Sequence, residues 1–222
     1  LKLSPQSYKN FQTVLHLFFS FCVARGYASD NPVAAVERIK LPGGDVEIYT
    51  PAELARLLAN VAPEALPALA IGAFAGLRTA EILRLEWSDL DLEGRTLVVA
   101  ASKSKTASRR VVPILDNLAA WLAPYARQAG PIWGQSAFPL HAAWRGAATA
   151  AGLPWKSNAL RHSFASYRLA QTQNAAQVSL EMGNSPQMVF RHYRELVKPA
   201  DAERWFAVKP ETPANVLSLA AA

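Results

Sequence analysis

The sequence predicts a mainly helical protein with a small three-stranded antiparallel sheet, an α+β fold. Apolar residues recur at helical spacing through most of the 222 residues, whereas three short stretches near the middle have the composition of strands. Hydrophobic residues make up 51% of the chain and charged residues 18%, which is the balance of a globular protein. A chain of this length buries a good core.

The first predicted element is an amphipathic helix. Between Ser7 and Arg25 the apolar residues fall on one helical stripe, and Gly26 stands where a C-terminal cap belongs. Asn31 and Pro32 then start a short second helix, because proline is favoured at a first helical position.

A linker follows these helices at residues 41–45, where proline and two glycines break both kinds of regular structure. We therefore expect a first unit over residues 1–44 and a main domain over residues 45–222. The chain begins at Leu1 and enters a helical pattern almost at once, which indicates a piece of a longer protein.

The main domain opens with helices. Thr50 and Glu53 form a capping box around Pro51, the pattern of a helix start. Gly76 ends the second helix and places Arg78 at a junction between helices. The helices predicted here cover residues 51–60, 64–74 and 79–85.

The strand-like stretches come next and predict a small antiparallel sheet. A turn at 93–94 and a polar, basic loop at 102–108 separate them. The predicted strands cover residues 87–92, 96–101 and 109–114. Helical patterns then return at residues 115–129, 137–151, 159–171, 175–182, 186–193 and 194–206.

Composition limits the possible partners and sites. The net charge of +6 favours a polyanionic partner, since basic excess drives phosphate binding through counterion release. Cys22 is the only cysteine, so a disulfide and a thiol-rich metal site are excluded and a reducing cytoplasm is expected. No apolar run reaches the roughly 18 residues of a membrane span, and we expect no membrane partner.

Tyr193, near the end of the segment 182–196, is the candidate nucleophile. A phenol with an ordinary pKa near 10 reacts poorly at neutral pH unless cationic groups surround it. Such groups occur upstream in three segments, namely 76–81, 102–114 and 158–166.

These segments follow one another in the order Arg, Lys, Arg, Gly, Tyr, which resembles the catalytic domain of the tyrosine recombinases of the phage-integrase type. The resemblance covers roughly residues 5–200. It implies the tyrosine recombinase catalytic fold, preceded over residues 1–44 by the end of a helical core-binding domain. It also implies site-specific recombination for integration or excision of a mobile element. The implied partners are double-stranded DNA, in a bacterial or phage nucleoid setting, and further copies of the chain, as a tetramer on paired sites.

The resemblance also assigns roles. Tyr193 would attack the scissile phosphate, form a 3′-phosphotyrosine and release a 5′-hydroxyl, while Arg78 and Arg161 clamp the phosphate oxygens. Lys105 would protonate the leaving oxygen, with Lys103 as the alternative. The remaining residues expected to contact DNA are Lys103, Arg109 and Arg110.

Two positions depart from the family pattern. Asn158 stands where the family usually has His, and Asn184 stands where it usually has His or Trp. Asparagine can hydrogen-bond a phosphate oxygen, but it cannot take a proton near pH 7. Spacing predicts that Asn158 and Arg161 share a helix face. His162 and His192 are close in sequence and are candidates to substitute.

Simpler interpretations exist for several of these residues. Glu81, three residues after Arg78, is expected to orient an arginine. Taken alone, Arg78 is also compatible with a surface residue at a helix end. Arg161, taken alone, is compatible with a salt-bridge partner on a helix face. Tyr167 is the rival nucleophile, although an aromatic at its position is more typical of the core. The tryptophans are expected in the core, with Trp155 as a candidate to lie near DNA.

No carboxylate cluster at two-metal spacing and no His/Cys ligand set occurs, so we expect neither a metal nor a cofactor. Three other functions remain open. The two asparagines are compatible with an inactive DNA-binding protein of recombinase ancestry. A type IB topoisomerase would share the chemistry, and a helical interaction protein would need none of it.

Overall fold

The computed structural model describes residues 3–39, 46–104, 109–193 and 197–211. The chain divides into two compact units, Leu1–Asp45 and Val46–Ala222. Among the helices of the described ranges, none has the length and apolar character needed to cross a bilayer.

The first unit consists of helix α1, Pro5–Ala24, and a 3₁₀ turn, Pro32–Ala35. α1 starts two residues before the predicted Ser7, because Ser4 caps it by accepting a hydrogen bond from the Ser7 backbone at 3.1 Å. The Asn31 side chain joins the turn to the helix by donating to the His16 carbonyl at 3.0 Å and to Ser20 Oγ at 2.9 Å.

The second unit is mainly helical with a small three-stranded sheet, which confirms the predicted fold class. Its helices are α2 Pro51–Asn60, α3 Leu66–Phe74, α4 Thr79–Ile82, α5 Asp116–Leu122, α6 Ala137–Ala150, α7 Ala159–Thr172, α8 Ala175–Met182, α9 Pro186–Tyr193 and α10 Pro199–Phe206. Its strands are β1 Leu90–Asp91, β2 Thr96–Val99 and β3 Arg110–Pro113, in the order β1-β2-β3 and all antiparallel.

The strands are shorter than predicted. Residues Trp87–Asp89 form a 3₁₀ turn instead of a strand, because the Asp89 carboxylate accepts from the Glu86 backbone at 2.8 Å and closes the chain on itself. A second 3₁₀ turn, Ala101–Lys103, ends β2 early. The register pairs Leu97 with Val112, and both are buried.

α3 forms the centre of the core. All nine of its residues are buried, and it packs against α5 and α7. A helix that is apolar on every side must be enclosed by other elements. This placement brings Gly76, two residues after the end of α3, against Phe164 and Arg161 of α7.

Prolines change the bounds of two of the predicted helices. α5 stops at Leu122 and gives way to a 3₁₀ turn containing Pro124, whereas the prediction continued to residue 129. In the described residues, the predicted helix over 194–206 begins only at Pro199, at the first position of α10. Residues 194–196 lie outside the described ranges.

Candidate active site

Gly76 and the turn after α3 set the position of Arg78. Gly76 has φ +64°, and a Cβ built on it would lie 2.2 Å from the Phe164 ring, so a side chain does not fit there. Arg78 follows as the N-cap residue of α4. Its backbone N–H donates to Glu81 Oε2 at 2.9 Å, and its Nη1 donates to Glu81 Oε1 at 3.1 Å.

Glu81 is buried between two arginines. Its side chain is 1% exposed, and Arg110 reaches it from β3 with Nη1–Oε1 at 3.1 Å and Nη2–Oε2 at 2.7 Å. Burial by itself would raise the pKa of the Glu81 carboxyl, but hydrogen bonds and charges from Arg110 and Arg78 lower it overall. Glu81 is therefore a carboxylate that fixes both guanidinium groups.

Arg110 is placed differently from its predicted role in DNA contact. Its side chain is 7% exposed, and its Nε donates to the Glu181 carbonyl at 3.0 Å. With all three guanidinium nitrogens directed at protein acceptors, Arg110 holds Glu81 and α8 rather than facing solvent. Arg109, the preceding residue, is exposed and lines a cavity with Arg78 and Asn184.

Arg161 lies on α7, close to Arg78. Its Nη1 donates to the Gly76 carbonyl, and its Nη2 donates to the Met182 carbonyl at 2.9 Å. Burial and the neighbouring charge of Arg78 lower the pKa of Arg161 to about 10, so the guanidinium keeps its proton at neutral pH.

Asn184 brings the two arginines together. Its Oδ1 accepts from Arg78 Nη2 at 2.7 Å and from Arg161 Nη2 at 3.0 Å. A single oxygen thus lies between two guanidinium groups, in the arrangement that suits a phosphate oxygen.

Tyr193 ends α9 next to these arginines. Its side chain belongs to a small apolar cluster, and the residue is 7% exposed. Burial raises the pKa of Tyr193, and the charges of Arg161 and Arg78 offset part of that rise. Tyr193 Oη lies 2.7 Å from His162 Nδ1 on α7.

Asn158 does not share a helix face with Arg161. It is the N-cap residue of α7, with φ 58° and ψ 3°, and the helix begins one residue later. Asparagine adopts this left-handed conformation more readily than most residues. The side chain is exposed and lines a cavity of about 520 Å³ that Arg78 and Arg161 also line.

Two other residues of that cavity, His141 and Arg145, were not predicted from the sequence. His141 and Arg145 lie one turn apart on α6, and both line it. Their spacing of four residues on one helix is the sequence signal that would have found them. Trp155 lines the same cavity, beside the arginines and Asn158.

Of the two lysine candidates, Lys103 lies in the described part of the chain. Lys103 Nζ lies 2.6 Å from Asp89 Oδ2 and 3.5 Å from Glu86 Oε2. Burial alone lowers the pKa of Lys103, but the bonds and charges of Asp89 and Glu86 raise it overall. Lys105, in the segment 105–108, and the side chain of His192 lie outside the described part of the chain.

Tyr167 has the environment of a core residue. It is 3% exposed, donates its hydroxyl to the Tyr49 carbonyl at 3.0 Å and stacks on Trp205 with ring centroids 4.3 Å apart. Burial, with the nearby charges of Asp201 and Glu53, raises the pKa of Tyr167 to about 12. The tyrosine that the arginines approach is Tyr193.

The tryptophans differ in their burial. Trp87, Trp144 and Trp205 are buried, whereas Trp121 and Trp155 are partly buried. Within the ranges that the structure describes, no group of three His, Cys, Asp or Glu side chains is arranged to hold a metal ion.

Comparison with known proteins matches residues 49–198 to the phage integrase family. The chain is 27% identical over 223 residues to tyrosine recombinase XerC of Xanthomonas axonopodis pv. citri (strain 306), covering 90% of this chain and 72% of that protein. It is 31% identical over 137 residues to tyrosine recombinase XerD of the same organism, covering 58% of this chain and 43% of that protein.

A solved structure shares the fold. The lambda integrase tetramer bound to a Holliday junction superposes with a TM-score of 0.70 at 18% identity, over 86% of this chain and 60% of that chain. The family match includes Arg78, Arg161 and Tyr193.

Proposed function

Because this chain belongs to the phage integrase family, we propose that it is a tyrosine recombinase that cuts and rejoins DNA at specific sites through a 3′-phosphotyrosine intermediate. The observation that carries the proposal is the convergence of Arg78 and Arg161 on the single oxygen of Asn184, beside Tyr193. Two permanently charged donors aimed at one point form an anion site, and a phosphate diester is the anion that a DNA-cleaving tyrosine needs.

The proposed reaction is a transesterification. Tyr193 Oη forms a bond to phosphorus and the bond from phosphorus to the 5′-oxygen breaks, which keeps the energy of the phosphodiester in the tyrosyl ester. Arg78 and Arg161 stabilise the negative charge that develops on the phosphate oxygens. Lys105 is proposed to protonate the 5′-oxygen, and the hydroxyl of a partner strand reverses the reaction.

Asn184 and Asn158 have separate proposed tasks. Asn184 occupies the anion position in the absence of DNA and turns its amide toward the phosphate when DNA binds. Asn158, which is exposed at the start of α7, is proposed to donate to a phosphate oxygen from the cavity it lines.

A basic surface supports DNA binding in the proposal. Arg109 is exposed beside Arg78, and Arg145 is exposed on α6 beside Arg161. Such groups bind phosphates without regard to base sequence and position the duplex. Lys103 is a proposed contact to the DNA backbone that would have to exchange Asp89 for phosphate.

The same proposal extends to domains and assembly. Residues 1–44 are proposed to be the end of a core-binding domain and residues 45–222 the catalytic domain. The protein would act on double-stranded DNA in a bacterial cytoplasm, as a tetramer on paired sites, to integrate or excise a mobile element.

Covalent capture of DNA tests the proposal. The protein is incubated with a nicked suicide duplex that carries the end sequence of the element, taken from the flanking genomic DNA, and then analysed by intact mass and peptide mapping. We expect an adduct on the peptide that contains Tyr193, its loss in Tyr193→Phe and its persistence in Tyr167→Phe, the matched control.

A second candidate function follows from the two asparagines. Neither Asn158 nor Asn184 can take a proton near pH 7, which is compatible with a protein that binds DNA and does not cut it. Salt-sensitive retention of the duplex without any adduct would favour this candidate. An adduct on Tyr193 excludes it.

A further inference from the structure

His162 and Tyr193 form a hydrogen bond at the point where the proposed reaction starts. Nδ1 of His162 lies 2.7 Å from Tyr193 Oη, and the two ring centroids are 5.7 Å apart. This distance is within the range of a direct proton transfer between a nucleophile and its base. The contact therefore joins an imidazole to the atom that attacks phosphorus.

The helix α7 fixes His162 relative to the anion site. Arg161, the preceding residue, holds the Gly76 and Met182 carbonyls, so the backbone at this point of α7 is tied to α8 and to the turn after α3. The backbone N–H of His162 donates to the Asn158 carbonyl at 3.0 Å, in the first turn of the helix. The imidazole and the arginine that binds phosphate are thus carried by adjacent residues.

The proposed attack by Tyr193 needs a group that accepts the proton of its hydroxyl, and Asn158 cannot be that group. Burial raises the pKa of Tyr193, so its hydroxyl holds a proton at neutral pH and must lose it during attack. An amide cannot accept that proton, whereas a neutral imidazole can. His162 contacts the hydroxyl directly.

We propose that His162 is the general base for Tyr193, an inference that rests on the proposed recombinase function. To act as the base, the imidazole must be neutral with its hydrogen on Nε2, so that Nδ1 accepts the hydrogen bond from Tyr193 Oη. As Oη bonds to phosphorus its proton passes to Nδ1, and the 5′-oxygen leaves with a proton from the acid proposed above, Lys105. In the reverse step His162 returns the proton to Tyr193.

Ionisable groups lie on several elements around this pair. Arg78 and Arg161 act electrostatically on Tyr193. α3, α8, α9 and α10 pack against α7, and α3 carries no ionisable side chain. The described ionisable groups on the other helices are Glu181 on α8, Arg191 on α9, and Asp201, Glu203 and Arg204 on α10. Glu181 forms an ion pair with Arg168 of α7.

The test compares His162→Asn with the wild-type protein in single-turnover cleavage of the suicide duplex. Asparagine places a polar atom near the position of Nδ1, so it keeps a hydrogen-bonding partner for Tyr193 but cannot take its proton. We expect cleavage to fall about 10²- to 10⁴-fold, with DNA affinity and the melting temperature unchanged. The rise of the wild-type rate with pH near the ordinary histidine pKa of about 6.5 should be absent in the variant.

A modified substrate distinguishes loss of the general base from loss of the general acid. In a duplex whose 5′-bridging oxygen at the scissile phosphate is sulfur, the thiolate leaves without needing a proton. The defect of His162→Asn should persist on this DNA, because the nucleophile still has to be deprotonated, whereas a Lys105→Ala defect should be largely rescued.

Three results would overturn the inference. Cleavage by His162→Asn within about threefold of wild type, with the same pH profile, would show that His162 does not take the proton. Rescue of His162→Asn by the sulfur substrate would assign His162 to the leaving group instead. Both leave the recombinase function intact, whereas absence of any adduct with the wild-type protein overturns that function together with the inference.

Discussion

Arg110 places both of its terminal guanidinium nitrogens on the carboxylate of Glu81, at 2.7 and 3.1 Å. The two side chains are 7% and 1% exposed, so water screens the pair very little. The pair joins β3 to α4, whose N-cap residue is Arg78. Through the Glu181 carbonyl, Arg110 also joins β3 to α8. The geometry of the anion site therefore depends on a buried ion pair between Arg110 and Glu81.

Removing Arg110 should destabilise the protein strongly. In Arg110→Met the Glu81 carboxylate stays buried with one arginine fewer, and breaking a buried pair in this way typically costs about 3–5 kcal/mol. Urea unfolding measures the change. The matched control is Arg204→Met, which removes an ion pair with Asp201 from an arginine that is 75% exposed and should cost less than about 1 kcal/mol. Equal losses in the two variants would contradict the importance of burial.

The same carboxylate predicts how stability depends on pH. Its folded-state pKa lies below the ordinary value of about 4.3, so the stabilisation is present in full above that value and is lost as pH falls through the folded-state pKa. The difference in free energy of unfolding between wild type and Glu81→Gln should be constant from about pH 7 to pH 5 and shrink below about pH 4.3. Glu53, whose pKa is also lowered, is present in both proteins and cancels. A difference that grows on acidification would reverse the assigned sign.

Asn184→Asp should inactivate the site without unfolding it. Aspartate has almost the shape of asparagine, but its charge would lie near 3 Å from Arg78 and Arg161 and compete with the phosphate. We expect at least about a tenfold fall in DNA affinity and cleavage, with the free energy of unfolding unchanged or higher. Asn184→Ala, which leaves both guanidinium groups without this acceptor, is the comparison and should bind DNA better than the aspartate variant.

Two residues in left-handed conformation give a further test. Asn158 and Gln173 have φ 58° and 55° at the two ends of α7. Gln173→Gly should stabilise the protein by up to about 1 kcal/mol, because glycine adopts this conformation without steric cost.

Asn158→Gly should keep the free energy of unfolding within about 0.5 kcal/mol of wild type yet lower cleavage, since the amide that faces the cavity is removed. Full cleavage by Asn158→Gly would limit Asn158 to a backbone role.

Local sequence patterns predicted much of the fold. The capping box at Thr50 and Glu53 predicted a helix over 51–60, and α2 has those bounds, with Glu53 accepting from the Thr50 backbone at 2.7 Å. The sheet was predicted as three antiparallel strands because alternation and turns are local signals. Its strand lengths were wrong at Trp87–Asp89, since one aspartate side chain was enough to turn the backbone.

Local sequence patterns predicted less of the geometry of the site. Arg109 and Arg110 are adjacent and chemically equal in the sequence, and Glu81, 29 residues away from Arg110, decides which of them turns inward. Asn158 was expected on a helix face because spacing cannot reveal a left-handed residue. The contact between His162 and Tyr193 spans 31 residues and becomes visible only once α7 and α9 are packed.

The contacts of Arg78 also bear on when the protein becomes able to react during its synthesis. Its partners Gly183 and Asn184 are 105 and 106 residues further along the chain. During synthesis, Arg78 therefore leaves the ribosome long before its partners in the turn after α8 have been made. Closing so long a loop is entropically costly until the intervening helices have packed. A nascent or truncated chain that lacks α8 and α9 carries both arginines without Tyr193, and it therefore lacks the nucleophile of the proposed reaction.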